Sequence, residues 1–307
     1  NAFGIVVQDQ PALCFDKVRY AGDAVAAVAA VDAETAEAAL RLIRVEFQPL
    51  PIVDDPETAL QPDAAPVHDN GNLQRILHFS RGDIEAGFSA AAHVVELAYV
   101  TSRQMHGFME TEGGHARVED DGSLSVFAGG QHGARDRLQL SRILAMPEDR
   151  IRIVTSPTGG AFGGKDELTI QPALALLALK SGAPVRLQLS RTESVQAGTK
   201  RNPMTIRMRT ACDADGLLLA QEVDVLSDCG AYASLSPGVL ETALEHAAGP
   251  YIVANVRTRG RLAYTNNGVC GAFRGFGANQ MTYAIECQMD ELAERCGLTP
   301  IEIRRRN

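Results

Sequence analysis

Apolar and polar positions along this chain repeat at two different periods, which distinguish predicted strands from predicted helices. Period-two alternation and β-branched residues predict strands over residues 93–100, 115–120, 124–129, 150–156, 185–191, 204–228 and 256–266. Apolar residues at helical spacing predict helices over residues 33–42, 133–145, 171–181 and along the segment that carries Met281, Ile285, Met289, Leu292 and Cys296. Strands and helices in this mixed order predict an α+β fold.

Short polar residues and glycines mark the ends of several of these elements. Asp32 precedes the first predicted helix as an N-cap, and Gly297 follows the long C-terminal helix at the C′ position. Residues 299–302, Thr-Pro-Ile-Glu, form a capping box that begins another helix. Asp215-Gly216 predicts a hairpin turn inside residues 204–228.

A change in composition predicts a domain boundary. Residues 17–53 predict a compact α/β unit with a strand, a turn at Gly22-Asp23, a buried strand, the first helix and a third strand over 43–51. The proline-rich and polar stretch 54–72 that follows predicts a linker. We therefore expect one module over residues 1–65, incomplete at its start, and a larger domain over residues 75–307.

Size and charge narrow the possible classes of function. The 307 residues are enough for two domains, and no apolar run is long enough to cross a membrane. A net charge of −9 argues against a surface for nucleic acid or anionic membranes. Six cysteines without CxxC spacing predict reduced thiols in a cytoplasmic protein, namely Cys14, Cys212, Cys229, Cys270, Cys287 and Cys296.

A glycine-rich segment, TSPTGGAFGGKDEL (155–168), lies between a predicted strand and a predicted helix. Such a loop can place backbone N–H groups around an anion. Residues 159–165 satisfy the pattern G-x-x-x-x-G-K of a P-loop, but Asp166 stands where the P-loop needs a Ser or Thr hydroxyl for Mg²⁺. A nucleotide-binding P-loop is therefore disfavoured, and a purely structural glycine turn remains an alternative.

A second segment, NNGVCGAFRGFGANQ (266–280), repeats the same features before the long helix. Each segment carries a phenylalanine, Phe162 or Phe276, and a cation, Lys165 or Arg274. Glycines allow the main chain to approach a ligand closely and to donate N–H bonds to it. The pair predicts a large anionic ligand held between the two segments, with ordinary packing as the alternative.

Together, GGAFGGKDE (159–167) and GAFRGFGANQ (271–280) resemble the molybdenum hydroxylases, the xanthine dehydrogenase and aldehyde oxidase family. Residues 18–53 look like the family's α/β hammerhead module, and residues 289–307 look like the close of its first molybdopterin-binding domain. The resemblance covers nearly the whole chain. It implies a partial hammerhead module followed by a mixed α/β molybdopterin-binding domain.

The resemblance also implies a function and partners. Family members use a molybdopterin-type molybdenum cofactor, in bacteria often in a cytosine dinucleotide form, to hydroxylate an electrophilic carbon of a (hetero)aromatic or purine-like substrate with water-derived oxygen. The base glutamate belongs to a second molybdopterin-binding domain, and 2Fe-2S clusters and FAD belong to partner domains or subunits. We therefore expect this chain to be a fragment or split subunit without a catalytic base or metal ligands, inactive alone. An aldehyde-oxidising member and a non-catalytic scaffold remain alternatives.

Residue by residue, the resemblance implies a cofactor site. Gln131 matches a glutamine that approaches the metal, although a loop amide bonded to its own backbone is the alternative. The backbone around Phe162 and Gly163 matches a segment beside the metal, and Phe273 and Arg274 match a second cofactor-binding segment, with a structural salt bridge as the alternative for the arginine. The implied cofactor-binding set is Gln131, Gly160, Phe162, Gly163, Phe273 and Arg274.

The implied substrate residues are Asp166, Thr242 and Phe276. Phe276 matches an aromatic residue that stacks on a planar substrate, with a core role as the alternative. Asp166 replaces a glutamate of the purine-oxidising members, and Thr242 stands where those members carry an arginine. Because the bidentate cation is missing, purine binding in the same mode is in doubt, and we prefer an N-heteroaromatic substrate.

Five other residues are candidates for metal sites or packing roles. Cys270 lies one residue before the position of the copper-binding cysteine of carbon monoxide-oxidising members, so copper is not expected. His106 and Glu110 have i, i+4 spacing, and a structural hydrogen-bonding role is preferred over a metal pair. His132 and His246 are expected to be surface or packing residues.

Overall fold

The structure, a computed structural model, describes residues 2–307. Its strands are β1 Ala2–Phe3, β2 Gln10–Pro11, β3 Leu73–Arg81, β4 His93–Thr101, β5 Gly113–Val118, β6 Leu124–Ala128, β7 Ile151–Thr155, β8 Val185–Gln188, β9 Met204–Cys212, β10 Leu218–Gly230 and β11 Asn255–Tyr264. Its helices are α1 Ala33–Leu42, α2 Pro56–Ala59, α3 Ile84–Ser89, α4 Gly133–Leu144, α5 Gln171–Ser181, α6 Arg191–Ala197, α7 Ser236–Glu245, α8 Ala278–Cys296 and α9 Pro300–Arg306. None of the described helices has the length and apolar character needed to span a membrane.

The larger sheet has five strands in the order β3-β11-β10-β9-β4. β10 and β11 are parallel, and the other neighbours are antiparallel. Helices α7 and α8 cover one face, where Ile206 and Met208 of β9 point into the core. Helices α2 and α3 cover part of the opposite face, and the rest of it carries ion pairs across strands, such as Arg257 with Glu222 at 2.7 Å. The alternating pattern of β9 therefore separates a core face from a charged face.

The smaller sheet has four strands in the order β7-β6-β5-β8. β6 and β7 are parallel, whereas β5 pairs antiparallel with both of its neighbours. Helices α4 and α5 pack on this sheet through Leu140 and Leu174, which contact a core that includes Leu124 and Val126. Two separate cores thus support the two halves of the molecule.

The strands and helices predicted from residue 93 onward are confirmed, as are the predicted caps. The Asp32 carboxylate accepts from the Thr35 N–H at 2.8 Å, and Thr299 forms the expected capping box with Glu302. Gly297 ends α8 in the left-handed conformation, and β9 and β10 form the predicted hairpin. These signals act within a few residues, so they survive folding unchanged.

The strands predicted on either side of α1 are wrong. Residues 17–32 and 43–53 form no strand, and Val31 is 94% exposed. Helix α1 itself forms as predicted but has no buried residue. A strand is stable only when a neighbour satisfies its backbone N–H and C=O groups, and no strand in residues 2–307 pairs with these segments.

Strand β3, whose first residues adjoin the stretch assigned to the linker, was not predicted from the sequence. β3 is an edge strand that pairs only with β11, and most of its side chains are exposed. An edge strand with little buried surface shows no period-two pattern of apolar residues, so its sequence gives no strand signal.

Candidate functional site

Two glycine-rich loops, one from each sheet, lie against each other. The first glycine loop, residues 156–170, joins β7 to α5, and the second glycine loop, residues 265–277, joins β11 to α8. The backbone N–H of Arg274 donates to the carbonyl oxygen of Phe162 over 2.9 Å. A Cβ added to Gly163 would lie 2.6 Å from the carbonyl oxygen of Ala272, so the close approach requires glycine. The prediction that the two loops close together is confirmed.

Both loops hold a phenylalanine in the left-handed region of backbone space. Phe162 has φ +53° between Gly160 and Gly163, and Phe276 has φ +48° between Gly275 and Gly277. A left-handed non-glycine residue costs about 1–3 kcal/mol and persists where the surroundings impose it. In each loop the neighbouring glycines also have positive φ, so the backbone turns sharply around the phenylalanine.

Gln131 links a third segment to the first glycine loop. It follows β6, and its backbone N–H donates to the carbonyl oxygen of Lys165 at 3.0 Å. Its side-chain Oε1 accepts from the Gly163 N–H at 3.1 Å, while the residue stays exposed. The side chain is therefore bonded to the first glycine loop and not to its own backbone.

Residues 272–274 of the second glycine loop are held by two side chains from elsewhere. The His106 ring stacks on Phe273 with ring centres 4.2 Å apart, and His106 Nε2 lies 2.8 Å from the Ala272 carbonyl oxygen. Burial lowers the pKa of His106, so a neutral ring donates from Nε2. The Arg201 guanidinium lies 3.8 Å from the centre of the Phe273 ring and donates to the Arg274 carbonyl oxygen at 3.2 Å.

His106 and Glu110 do not form a pair. Glu110 accepts from the Lys165 ammonium at 2.7 Å and from the Gly159 N–H at 2.7 Å, and these contacts lower its pKa. The structural role expected for both residues is confirmed. Lys165 is buried and neutralised by this contact, so the expectation that it offers a free cation to a ligand is wrong.

Arg274 behaves differently from Lys165. Its side chain is exposed, and no carboxylate of residues 2–307 lies within ion-pair distance of it. Its backbone is fixed at the N–H by Phe162 and at the carbonyl by Arg201. A fixed backbone with a free cationic side chain, beside N–H groups of glycine loops, is suited to an anionic ligand.

Asp166 is buried at the end of the first glycine loop, and His132 covers it. His132 Nε2 lies 2.6 Å from Asp166 Oδ1, and Arg135 Nη1 lies 3.9 Å from the same oxygen. His132 was expected to have only a surface or packing role, and its contact with the carboxylate was missed. No sequence signal identifies it, because the two residues meet only when the β6–α4 and β7–α5 connections fold together.

Two more buried carboxyl groups, those of Asp136 and Glu167, lie close to Asp166. Burial, followed by repulsion from Asp166, raises the pKa of Asp136 to about 7. Burial is also the main cause that raises the pKa of Glu167 to about 7, despite a hydrogen bond from the Ser234 hydroxyl. Ionising all three acids in one buried region is unfavourable, so Asp136 and Glu167 titrate near neutral pH.

Phe276 packs against helix α7, and Thr242 belongs to that helix. Phe276 is half-buried, and a Cβ added to Gly238 of α7 would lie 3.2 Å from its ring. A Cβ added to Gly277 would lie 2.2 Å from the Val239 carbonyl oxygen, so α7 packs tightly on the second glycine loop. Thr242 is half-buried one turn further along α7. Helix α7 thus carries Thr242 and packs against Phe276.

Cys270 is a buried residue of the second glycine loop. Arg103 Nη1 donates to its Sγ at 3.1 Å, and burial raises the pKa of the thiol to about 12. His246 is exposed and bonds the Thr242 carbonyl oxygen of its own helix, as a surface residue does. Among residues 2–307, no group of three or more His, Cys, Asp or Glu side chains is arranged to hold a metal ion.

Comparison with known families gives two matches that together cover most of the chain. Residues 67–307 match the molybdopterin cofactor-binding domain. Residues 1–51 match the aldehyde oxidase and xanthine dehydrogenase a/b hammerhead domain. The second match falls on the segment where α1 forms and the neighbouring strands do not.

Individual relatives extend this similarity over the full chain. A probable xanthine dehydrogenase subunit of Bacillus subtilis is 56% identical over 307 residues, which are 100% of this chain and 41% of the relative. The nicotinate dehydrogenase large molybdopterin subunit of Eubacterium barkeri is 40% identical, over 99% of this chain and 72% of the relative. The chain therefore spans less than half of the first of these relatives.

Solved structures have the same fold. The aldehyde oxidoreductase of Desulfovibrio gigas superposes with a TM-score of 0.93 at 32% identity, over 97% of this chain and 33% of its own. Quinoline 2-oxidoreductase of Pseudomonas putida superposes with a TM-score of 0.90 at 31% identity, over 97% of this chain and 39% of its own. Both superpositions cover nearly all of this chain, which carries the two glycine loops.

Proposed function

Because this chain belongs to the aldehyde oxidase and xanthine dehydrogenase family and carries its molybdopterin cofactor-binding domain, we propose that it is the cofactor-holding part of a molybdenum hydroxylase. Its reaction would hydroxylate an electrophilic carbon of an N-heteroaromatic substrate with oxygen derived from water. The single observation that supports this most is the hydrogen bond between Arg274 and Phe162, which joins the two glycine loops into one cradle.

The residues of this cradle fit an anionic, planar cofactor. Gly160 and Gly163 allow the positive-φ turns that bring the two loops together, and Arg274 offers an exposed cation without a partner among residues 2–307. Arg201, which bonds the Arg274 carbonyl oxygen, is a second cation without an acidic partner among residues 2–307. When bound, the cofactor would supply the two-electron redox chemistry of molybdenum.

The chain's own residues would bind and orient that cofactor. Gln131 is bonded to Gly163, so its amide group is held at a fixed place beside the first glycine loop. The backbone of Phe162 and Gly163 would line one side of the cofactor, and Phe273 and Arg274 would line the other. Fixed amide dipoles at such a site need no reorganisation when charge develops.

We assign substrate contacts to Asp166, Thr242 and Phe276. Phe276 is half-buried and packs on α7, so its ring is fixed in position to stack on a planar substrate. Asp166 supplies charge at the far end of the first glycine loop, and His132 controls its exposure. The names of two relatives, a nicotinate dehydrogenase and a quinoline oxidoreductase, support an N-heteroaromatic substrate.

The remaining parts of the enzyme would lie on other segments or subunits. We propose a second molybdopterin-binding domain that supplies the base glutamate, and 2Fe-2S and FAD partners that remove electrons. The share of the relatives that this chain spans, 41% and 72%, and their description as subunits support this arrangement. A cytosine dinucleotide form of the cofactor, a cytoplasmic location and a boundary between residues 65 and 75 are further parts of the proposal, and six free thiols favour the location.

An aldehyde-oxidising member is the second candidate. The high superposition on the aldehyde oxidoreductase of Desulfovibrio gigas, with a TM-score of 0.93, favours it. The buried carboxyl group at Asp166 favours the heteroaromatic substrate instead, because a protonated ring nitrogen or a ring N–H donates to a carboxylate and an aldehyde carbonyl has no such donor. A non-catalytic scaffold is the third candidate, and it predicts no bound molybdenum in the complete protein.

The test uses the complete protein with its partners, produced in a host that makes the cofactor. Gly163→Ala would push a Cβ against Ala272 and open the joint between the loops, so we expect molybdenum and pterin content to fall at least fivefold. Gly182→Ala is the matched control, since Gly182 also has positive φ but no neighbour within 4 Å of an added Cβ. Complete wild-type protein without pterin would rule out the proposal, and turnover of aldehydes but not of N-heteroaromatics would favour the second candidate.

A further inference from the structure

Arg201 is a buried arginine without an acidic partner. Arg201 is 8% exposed, and no carboxylate among residues 2–307 lies within ion-pair distance of its guanidinium. Its guanidinium donates to three neutral oxygens at 3.2 Å each, those of the Gln104 side chain, the Gln280 side chain and the Arg274 backbone. Burial lowers its pKa, and no opposite charge acts against that shift. The positive charge is therefore held in place but not neutralised.

A comparable arginine nearby shows the usual arrangement. Arg103 is also partly buried, and its guanidinium forms an ion pair with the buried Asp228 at 2.6 Å. Buried cations in proteins are normally paired in this way, because desolvation without a counter-charge is unfavourable. Arg201 breaks this rule although the chain as a whole has a net charge of −9. The acidic excess of the protein is thus kept away from this position.

The guanidinium acts directly on the second glycine loop. It covers the Phe273 ring, which also stacks with the neutral His106, and it bonds the carbonyl of Arg274. The N–H of Arg274 bonds Phe162 of the first glycine loop. Arg201 therefore stabilises the contact between the two glycine loops from its buried side, while the Arg274 side chain is exposed at the same contact.

We propose that Arg201 is a positioning residue whose missing counter-charge is supplied by the bound cofactor. This inference rests on the proposed function and adds one statement to it. The ligand class is a phosphate-bearing, planar anion, and its negative charge compensates a cation that the protein leaves unpaired. The empty protein carries the unfavourable charge, and binding relieves it, so Arg201 couples the stability of the fold to occupancy of the site.

The experiment compares loaded and empty forms of the complete protein with its partners. Each variant is produced in a host that makes the cofactor and in a host that cannot, and the thermal midpoints and molybdenum content are measured. We expect Arg201→Gln to reduce the difference between loaded and empty midpoints by at least half and to lower molybdenum occupancy at least fivefold. Glutamine keeps hydrogen-bonding capacity, so the change isolates the charge.

Arg304→Gln is the matched control, because Arg304 is a partly buried, ion-paired arginine whose contacts lie outside both glycine loops. The change removes a compensated cation and leaves Glu286 and Asp290 without it, so both midpoints should fall together and the difference between them should stay at its wild-type size. Arg201→Lys keeps the charge but loses the planar fork, and it should keep most of the loaded-minus-empty difference. These three variants separate charge compensation from ordinary packing.

Each outcome of this experiment either supports or overturns the inference about Arg201. Equal lowering of both midpoints by Arg201→Gln, with the difference unchanged, would show a purely structural arginine and overturn the inference alone. If Arg201→Gln does not fold in either host, Arg201→Lys decides, and a collapse of the difference despite the retained charge overturns it. Wild-type protein without molybdenum in the cofactor-making host would instead overturn the proposed function, and this inference with it.

Discussion

Asp136 shows how burial changes the chemistry of a single residue. It is 2% exposed in the first turn of α4, close to Asp166 and Glu167. Burial is the main cause that raises its pKa to about 7, and the neighbouring acids add to it. The folded chain therefore keeps a proton over a pH range in which the unfolded chain has lost it.

This residue makes the stability of the fold depend on pH. Because the folded pKa lies above the unfolded one, the stabilising effect of the proton is complete below about pH 4 and is lost as the pH rises to about 7. Asp136→Asn should remove this loss and raise the free energy of unfolding above pH 7 by up to about 4 kcal/mol. Urea unfolding at several pH values measures this effect.

The control is Asp69→Asn, which changes an exposed carboxylate and should leave the pH profile unchanged. Some slope between about pH 4 and 7 should remain in Asp136→Asn, because Glu167 titrates in the same range. If Asp136→Asn left the whole profile as in the wild type, Asp136 would not hold a proton in the folded chain.

Single residues also show what the sequence could predict of the site. The meeting of Phe162 and Arg274 was predictable, because both lie in recognisable glycine motifs that precede helices. The free cation expected at Lys165 was wrong, since Glu110 lies 55 positions earlier and the pairing leaves no local trace. Arg201 was missed for the same reason: its contacts come from distant segments of the chain.

Among the elements, α8 and α1 differ most in their share of the core. Both were predicted from helical spacing, and both form. α8 buries Met281, Ile285, Met289 and Leu292 against the five-stranded sheet, whereas no residue of α1 is buried. Helical periodicity predicts a helix and its apolar face, but it does not show whether a partner surface is present.

This difference predicts unequal effects of the same substitution. Leu292→Ala removes a fully buried side chain and should lower the free energy of unfolding by about 2–5 kcal/mol. Leu40→Ala in α1, where the side chain is 44% exposed, should change it by less than about 0.5 kcal/mol. Denaturant unfolding of both variants measures this contrast, and equal losses would show that α1 has a partner surface.

The predicted strands beside α1 failed for a related reason. Their apolar residues satisfy the period of a strand, but Val45 and Phe47 are exposed, 42% and 62%, along an open concavity of about 1120 Å³. Local pattern can predict that a segment is able to pair, and only the whole sheet decides whether it does. By contrast, β9 and β10 pair with each other through a short turn, so their hairpin was predictable.

At the scale of the whole molecule, the candidate site joins two halves that have separate cores. The first glycine loop and the Gln131 segment extend from the four-stranded sheet, and the second glycine loop extends from the five-stranded sheet. Each sheet has its own helices, so the loops are held by rigid elements on both sides. A ligand between them would contact both halves, which explains why two unpaired arginines, Arg201 and Arg274, lie at this boundary in an acidic protein.

The most direct test of the central claim locates molybdenum in the complete, cofactor-loaded protein by anomalous X-ray diffraction. We expect one strong peak beside the Phe162–Gly163 backbone and the Gln131 side chain, with the pterin extending toward Arg274. A molybdenum peak at a place that neither glycine loop contacts would show that the two loops do not hold the cofactor.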